Sequence, residues 1–250
     1  MAVREFKRRY ARLSDELLTV LGQVGVIAVL GAIGAALYRR GFHSGWFLAA
    51  LALYVVYDGL LTRAFFTIPN LPVDANWNWL GKLMSFTGML IVASLPMFGL
   101  RRVGLTLKQK PGFRTPLIVF AGLMALFAYL ALSDSSEMAD FETIAFQWTM
   151  PSIDEELFYR GVLLLAMNEA FARRVNILGA GIGYGGLLTS ILFGLAHGFG
   201  YSEGSFYFDA VTFAITGVPS LILLWLRERT GSLLLPMLGH CASNGLFTVI

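Results

Sequence analysis

Apolar runs of about twenty residues, the length needed to cross a bilayer, recur along almost the whole chain, each closed by a short polar or charged stretch. The first is "LLTVLGQVGVIAVLGAIGAALY" (17–38), closed by Arg39 and Arg40. The second, "WFLAALALYVVYDGLLTRAFF" (46–66), carries Asp58 and Arg63. Further runs near 80–100, 117–132, 144–167, 180–199, 206–226 and 231–250 bring the expected helices to eight. Ahead of them, Val3, Phe6, Tyr10 and Leu13 recur at helical spacing among five basic residues, a pattern suited to a helix lying on a headgroup surface. The pattern predicts an all-α membrane protein: a single bundle of about eight transmembrane helices with an N-terminal amphipathic interfacial helix. It divides the chain into an amphipathic segment 1–16, helices 1–4 at 17–132 and helices 5–8 at 133–250.

Composition agrees with that division. The chain is 56% hydrophobic and 14% charged, with a mean hydropathy of +0.67. A soluble domain carries roughly a quarter of its residues as charges, so much of this surface faces lipid. The single cysteine, Cys241, allows no disulfide within the chain and no CxxC metal site; a packing role is expected for it. The net charge of +3 gives no reason to expect a nucleic-acid partner, and the expected partner is the bilayer itself. Oligomeric state is not set by the sequence. Eight spans put the loops at 39–45, 101–116, 168–179 and 227–230 on one side, each with arginine or lysine. The positive-inside rule favours that side as cytoplasmic, while the basic N-terminus lies on the other, so orientation stays open. The expectation is a multi-pass integral membrane protein, in the plasma (inner) membrane if the source is prokaryotic.

Ionised side chains at membrane depth cost about 2.5–3.5 kcal/mol each on insertion scales and tend to have a partner or a purpose. That filter retains Asp58 and Arg63, then Asp154, Glu155, Glu156 and Arg160, then His197, Asp209, His240 and Asn244. Two of the chain's three histidines are among them. Glu156 and Arg160 are four apart, so one can neutralise the other on a helix face. Glu155 is turned about 100° away. One acid locked and its neighbour free is what general-base chemistry requires. Phe193 and His197 share a face, as do His240 and Asn244, where Gly239, Ala242, Ser243 and Gly245 permit close helix approach. Asp154 is expected near a wet helix turn, without chemistry, and Asp58 and Arg63 are expected to snorkel from the end of their span.

Taken together, Glu155-Glu156-x-x-x-Arg160, Phe193-x-x-x-His197 and His240-x-x-x-Asn244 resemble the three motifs of the CPBP (ABI) family, which groups type II CAAX prenyl endopeptidases with bacteriocin-processing and immunity proteins. The resemblance covers about residues 140–250. It implies an intramembrane endopeptidase acting on a membrane-anchored or lipidated, including prenylated, protein or peptide. Carried over, Glu155 and His197 activate a water, His240 and Asn244 stabilise the oxyanion, and Glu156, Arg160 and Phe193 support the site. No cofactor is expected on this reading; the alternative is a zinc ion held by Glu155, His197 and His240. GxSG-, GxGD- and HExxH-type signatures of other intramembrane proteases are missing from the sequence. The competing function is a non-catalytic immunity or peptide-binding scaffold protein using the same cavity.

Overall fold

A computed structural model describes residues 2–69, 71, 72, 74–134 and 137–249; the side chains of residues 2–12, 65 and 66 lie outside the described set. The helix α1 (Ala2–Leu37) runs unbroken from the basic N-terminus through the first apolar run. The Val3, Phe6 and Tyr10 side chains expected at the headgroup surface fall outside the described set. The second run forms α2 (Ser44–Leu61) and the one-turn α3 (Arg63–Phe66), the third α4 (Trp79–Ser94) and the fourth α5 (Arg114–Ser133).

The fifth run is not one helix. α6 (Phe141–Gln147) ends at Trp148, and α7 (Met150–Glu155) restarts with Pro151 in its first turn, where the missing N–H costs nothing. A π-helical stretch, Glu156–Leu163, follows and passes into α8 (Leu164–Ala170). Wide π turns concentrate at functional sites.

Two β-hairpins interrupt the remainder. β1 (Arg174–Ile177) pairs with β2 (Ala180–Gly183), then α9 (Tyr184–Gly198) follows. β3 (Phe199–Ser202) pairs with β4 (Ser205–Phe208) before α10 (Ala210–Thr230) and α11 (Leu234–Val249). Both hairpins turn on two residues with positive φ, Leu178-Gly179 and Glu203-Gly204, the geometry whose twist matches paired strands. Helix still accounts for 71% of the chain. The expected loop at 168–179 and the expected start of a span at 206 are in part strand. Asp209, expected at membrane depth, is instead the exposed cap of α10, accepting from the Val211 and Thr212 backbone N–H groups at 3.0 Å.

Among the described residues four helices are long and apolar enough to cross a membrane: Leu13–Leu37 within α1, α2, α5 and α10. α4, α9 and α11 are shorter, at 16, 15 and 16 residues. The π-helical stretch is the centre of the bundle. All eight of its residues are buried, and it packs against α2, α4, α9, α10 and α11. Phe158 in it stacks face to face on Tyr57 of α2, centroids 3.9 Å apart.

The arginine-bearing loops lie together. His43 N–H donates to Ala170 O (2.9 Å), Lys110 N–H to Thr230 O (2.8 Å), and Leu233 N–H to Gly104 O (2.9 Å). At the other end the Asn76–Trp79 segment meets the start of α6. Glu142 there accepts from Asn76 N–H and Trp77 N–H, and from Trp79 Nε1 at 3.0 Å.

Candidate active site

Three consecutive acids leave the α7–π junction in three directions. Asp154 is fully buried. It accepts from the Tyr57 hydroxyl (2.7 Å), the Ser85 hydroxyl (2.8 Å) and Lys82 Nζ (3.2 Å). The wet helix turn expected for it is therefore corrected: Asp154 is closed off because α4 packs directly on α7 and Tyr57 of α2 reaches its carboxylate. Lys82, a lysine inside an apolar helix that the sequence reading passed over, bridges to Glu155 Oε1 at 2.6 Å. The second carboxylate oxygen, Glu155 Oε2, has no hydrogen-bond partner among the described residues and lies 3.9 Å from His240 Nε2.

Glu156 points the other way and is fully buried. Its Oε1 accepts from Arg160 (2.7 Å), the pair expected from the four-residue spacing, and also from His240 Nδ1 (2.8 Å). A carboxylate facing arginine accepts and does not donate, so the His240 proton sits on Nδ1 and Nε2 turns toward Glu155. His197 is oriented by the same logic. Its Nδ1 lies 2.7 Å from the Phe193 carbonyl, which can only accept, so Nε2 is again the nitrogen left free. A fixed tautomer with one nitrogen free is the usual device for aiming an imidazole. The Phe193 ring packs against His197 (4.7 Å between centroids) and meets His240 edge-on (5.9 Å), while the Arg160 guanidinium covers it at 4.3 Å.

A cavity of about 760 Å³ opens beside these groups, and Glu155, Phe193, His197, His240 and Asn244 all line it. Asn244 follows His240 by one turn of α11, its carbonyl oxygen taking the Ser243 hydroxyl at 3.3 Å. Leu123, Phe127, Leu223 and Phe247 supply apolar wall, and Trp77 stands at the edge. Glu156 and Arg160 sit behind this surface rather than on it, and neither Asp58 nor Arg63 reaches it.

The donor set gives zinc little purchase. Among the described residues no three His, Cys, Asp or Glu side chains are grouped as metal ligands. One oxygen of Glu155 is already engaged by an ammonium at 2.6 Å, which would compete with a divalent cation for the same charge. Glu155, His197 and His240 share the cavity without fitting a metal site in this arrangement.

Residues 138–246 match the family model described as type II CAAX prenyl endopeptidase Rce1-like. This part of the chain is an Rce1-like domain. The family is one of membrane proteases, and with its apolar helices the chain is an integral membrane protein. Comparison with curated proteins and with solved structures gave no match. The Rce1-like domain contains Glu155, Glu156, Arg160, Phe193, His197, His240 and Asn244. Lys82, Tyr57 and Ser85 come from helices outside it.

Proposed function

We propose that the chain is an intramembrane endopeptidase that cleaves a membrane-anchored or lipidated peptide with a water activated by Glu155. The observation that carries this reading is the convergence on one cavity of Glu155, two histidines with Nε2 free, and the Asn244 amide. Water held between Glu155 Oε2 and His197 Nε2 loses its proton to the carboxylate as its oxygen attacks the scissile carbonyl. The oxyanion is met by Asn244 Nδ2 and by His240. Donation from His240 Nε2 requires a proton on that nitrogen in addition to the one on Nδ1, where Glu156, already paired with Arg160, accepts. Glu155 then returns its proton to the departing amine. Preorganised donors of this kind commonly contribute 10²–10³ in rate. Lys82 acts through Glu155, pinning Oε1 so that Oε2 is presented. The apolar wall of Leu123, Phe127, Leu223 and Phe247 suits a substrate with a lipid chain or an apolar segment.

The mechanism is metal-free. The test is cleavage of lipidated and unlipidated membrane-anchored peptides in liposomes by wild type and Glu155→Gln, with metal content measured on the same preparations. Cleavage by wild type alone, with substoichiometric metal, is expected. Full turnover by Glu155→Gln overturns the role of Glu155, and stoichiometric zinc with chelator-sensitive activity overturns the metal-free route. Peptide binding without cleavage in either protein would favour the scaffold reading.

A further inference from the structure

A second pocket, of about 330 Å³, lies where the arginine-bearing loops meet. It shares no lining residue with the cavity of Glu155; on α10 that cavity reaches Leu223 and this pocket begins at Arg227, four residues or about 6 Å of helix further on. Arg101, Arg102, Lys110, Arg174 and Arg227 line it, against two acids, Glu169 and Glu228. Five cations against two carboxylates leave a surplus of three positive charges. Both acids are also engaged. Glu169 takes Arg102 at 2.6 Å, and Glu228 takes the Asn168 amide at 2.6 Å.

Three of the remaining cations, Arg227, Arg174 and Lys110, are held by backbone carbonyls and make no ion pair among the described residues. Arg227 is buried, 8% exposed, and donates only to backbone carbonyls, Arg160 O (3.1 Å) and Arg102 O (2.8 Å). No carboxylate lies within 4 Å of it among the described residues. Its guanidinium lies against Gly104, at φ +90°, where an added Cβ would come within 2.5 Å of Nε. Arg174 donates to Asn168 O (2.8 Å) and Lys110 to Glu228 O (3.0 Å). Arg101 has no partner among the described residues. Loop stapling accounts for the carbonyl contacts, and positive-inside topology accounts for basic residues at this end. Neither accounts for convergence on one pocket, nor for a buried arginine with no ion pair, an arrangement that is costly unless a closer counter-charge arrives.

We propose that this pocket binds a phosphate group. Arginine forks and a lysine match phosphate oxygens in charge and geometry. The pocket also sits at the C-terminal end of α10, a helix of membrane-spanning length, with Lys110 four residues ahead of α5, the level at which lipid phosphates lie. The phosphate belongs either to an anionic lipid headgroup or to a soluble phosphate, and the experiment separates the two. The purified full chain is placed in nanodiscs of phosphatidylcholine, with or without phosphatidylglycerol, and separately in phosphatidylcholine with inorganic phosphate. Retained lipid is read by native mass spectrometry and melting temperature by scanning fluorimetry. Retention of phosphatidylglycerol and a higher melting temperature are expected for wild type. Binding should weaken about tenfold or more in Arg101→Gln/Lys110→Gln, through loss of charge-assisted bonds. Arg39→Gln/Arg40→Gln, which removes the same charge from the same end outside the pocket, should behave as wild type. A shift with inorganic phosphate alone, to which phosphatidylglycerol adds nothing, assigns the pocket to a soluble phosphate. Equal losses in the two double variants, or no response to either phosphate source, overturn the proposal.

Discussion

On one side of the α7–π junction Lys82 joins Asp154 and Glu155; on the other, Arg160 and His240 share a single oxygen of Glu156. The two clusters begin three bonds of main chain apart and end in different conditions. Glu156 is sealed, with the donors around it converging on Oε1. Glu155 is held by one oxygen and keeps the other toward the cavity. The difference separates a carboxylate that fixes other groups from one that is itself presented. It also divides the support: Arg160 and His240 belong to the Rce1-like domain, whereas Lys82 reaches it from α4. The N-terminal helices therefore complete the site and do more than anchor it.

The largest effect expected is on catalysis. Glu155→Gln keeps shape and removes the base, so peptidase activity should fall by about 10²–10⁴, the usual worth of general-base catalysis, with the melting temperature little changed. A loss of folding instead would mean that Glu155 belongs with Glu156 as scaffold. The opposite profile is expected for Glu156→Gln. Removing one partner of a buried pair costs about 3–5 kcal/mol, because Arg160 is left charged and buried. Adding Arg160→Met should recover much of that stability without restoring activity, since His240 still lacks its carboxylate. Denaturation and cleavage measured on both variants would separate the two roles; parallel recovery of stability and activity would merge them.

Lys82→Met tests the other cluster. Loss of the pin on Oε1 should lower kcat on the order of 10–100-fold, the typical cost of losing an orienting partner, with KM nearly unchanged. Lys82→Arg should restore part of it. A rise in KM alone would make Lys82 a substrate contact.

Sequence spacing exposed those parts of the site that are local. Glu156 with Arg160, Phe193 with His197 and His240 with Asn244 each lie four apart on one helix, so their proximity needs no tertiary information. Lys82 with Glu155 and His240 with Glu156 are 73 and 84 residues apart, and helix periodicity cannot pair them. Lys82 could have been noticed as a charge near the start of an apolar run, where snorkelling is the ordinary explanation. The hairpins were hidden for a different reason. "RVNILGAGIG" and "FGYSEGSFYF" are apolar or aromatic enough to blend into neighbouring spans, although Leu178-Gly179 and Glu203-Gly204 carry the turn signal. Hydropathy likewise does not report that Trp148 and Pro151 divide the fifth run, because the pieces remain apolar.

A smaller effect is expected one layer behind Lys82. Tyr57→Phe keeps the stack on Phe158 and removes a hydrogen bond to Asp154, a contact to a charged group worth about 1.5–3 kcal/mol. Stability should fall while cleavage by the folded fraction holds, because Ser85 and Lys82 still engage Asp154. A fall in kcat matching that of Lys82→Met would show that Asp154 transmits position to Glu155.

Glu142, outside the spans, shows how a carboxylate is held without a cation. Desolvation opposes its charge, but donors from Asn76, Trp79 and Trp77 outweigh it and keep the carboxyl below its ordinary 4.5. A depressed folded value means that the attachment is fully present above the ordinary value and is lost as pH falls through the folded one. The Asn76–Trp79 segment borders the cavity through Trp77, which also donates to the Thr143 hydroxyl at 2.9 Å. Acidification below the ordinary carboxylate range should therefore change the environment of Trp77 and Trp79, read as tryptophan fluorescence against pH. Glu142→Gln should remove that acid transition while leaving Glu155 and its partners untouched. An identical transition in the variant would trace it to the interior acids, and would erase the distinction between carboxylates compensated by cations at membrane depth and one compensated by neutral donors outside.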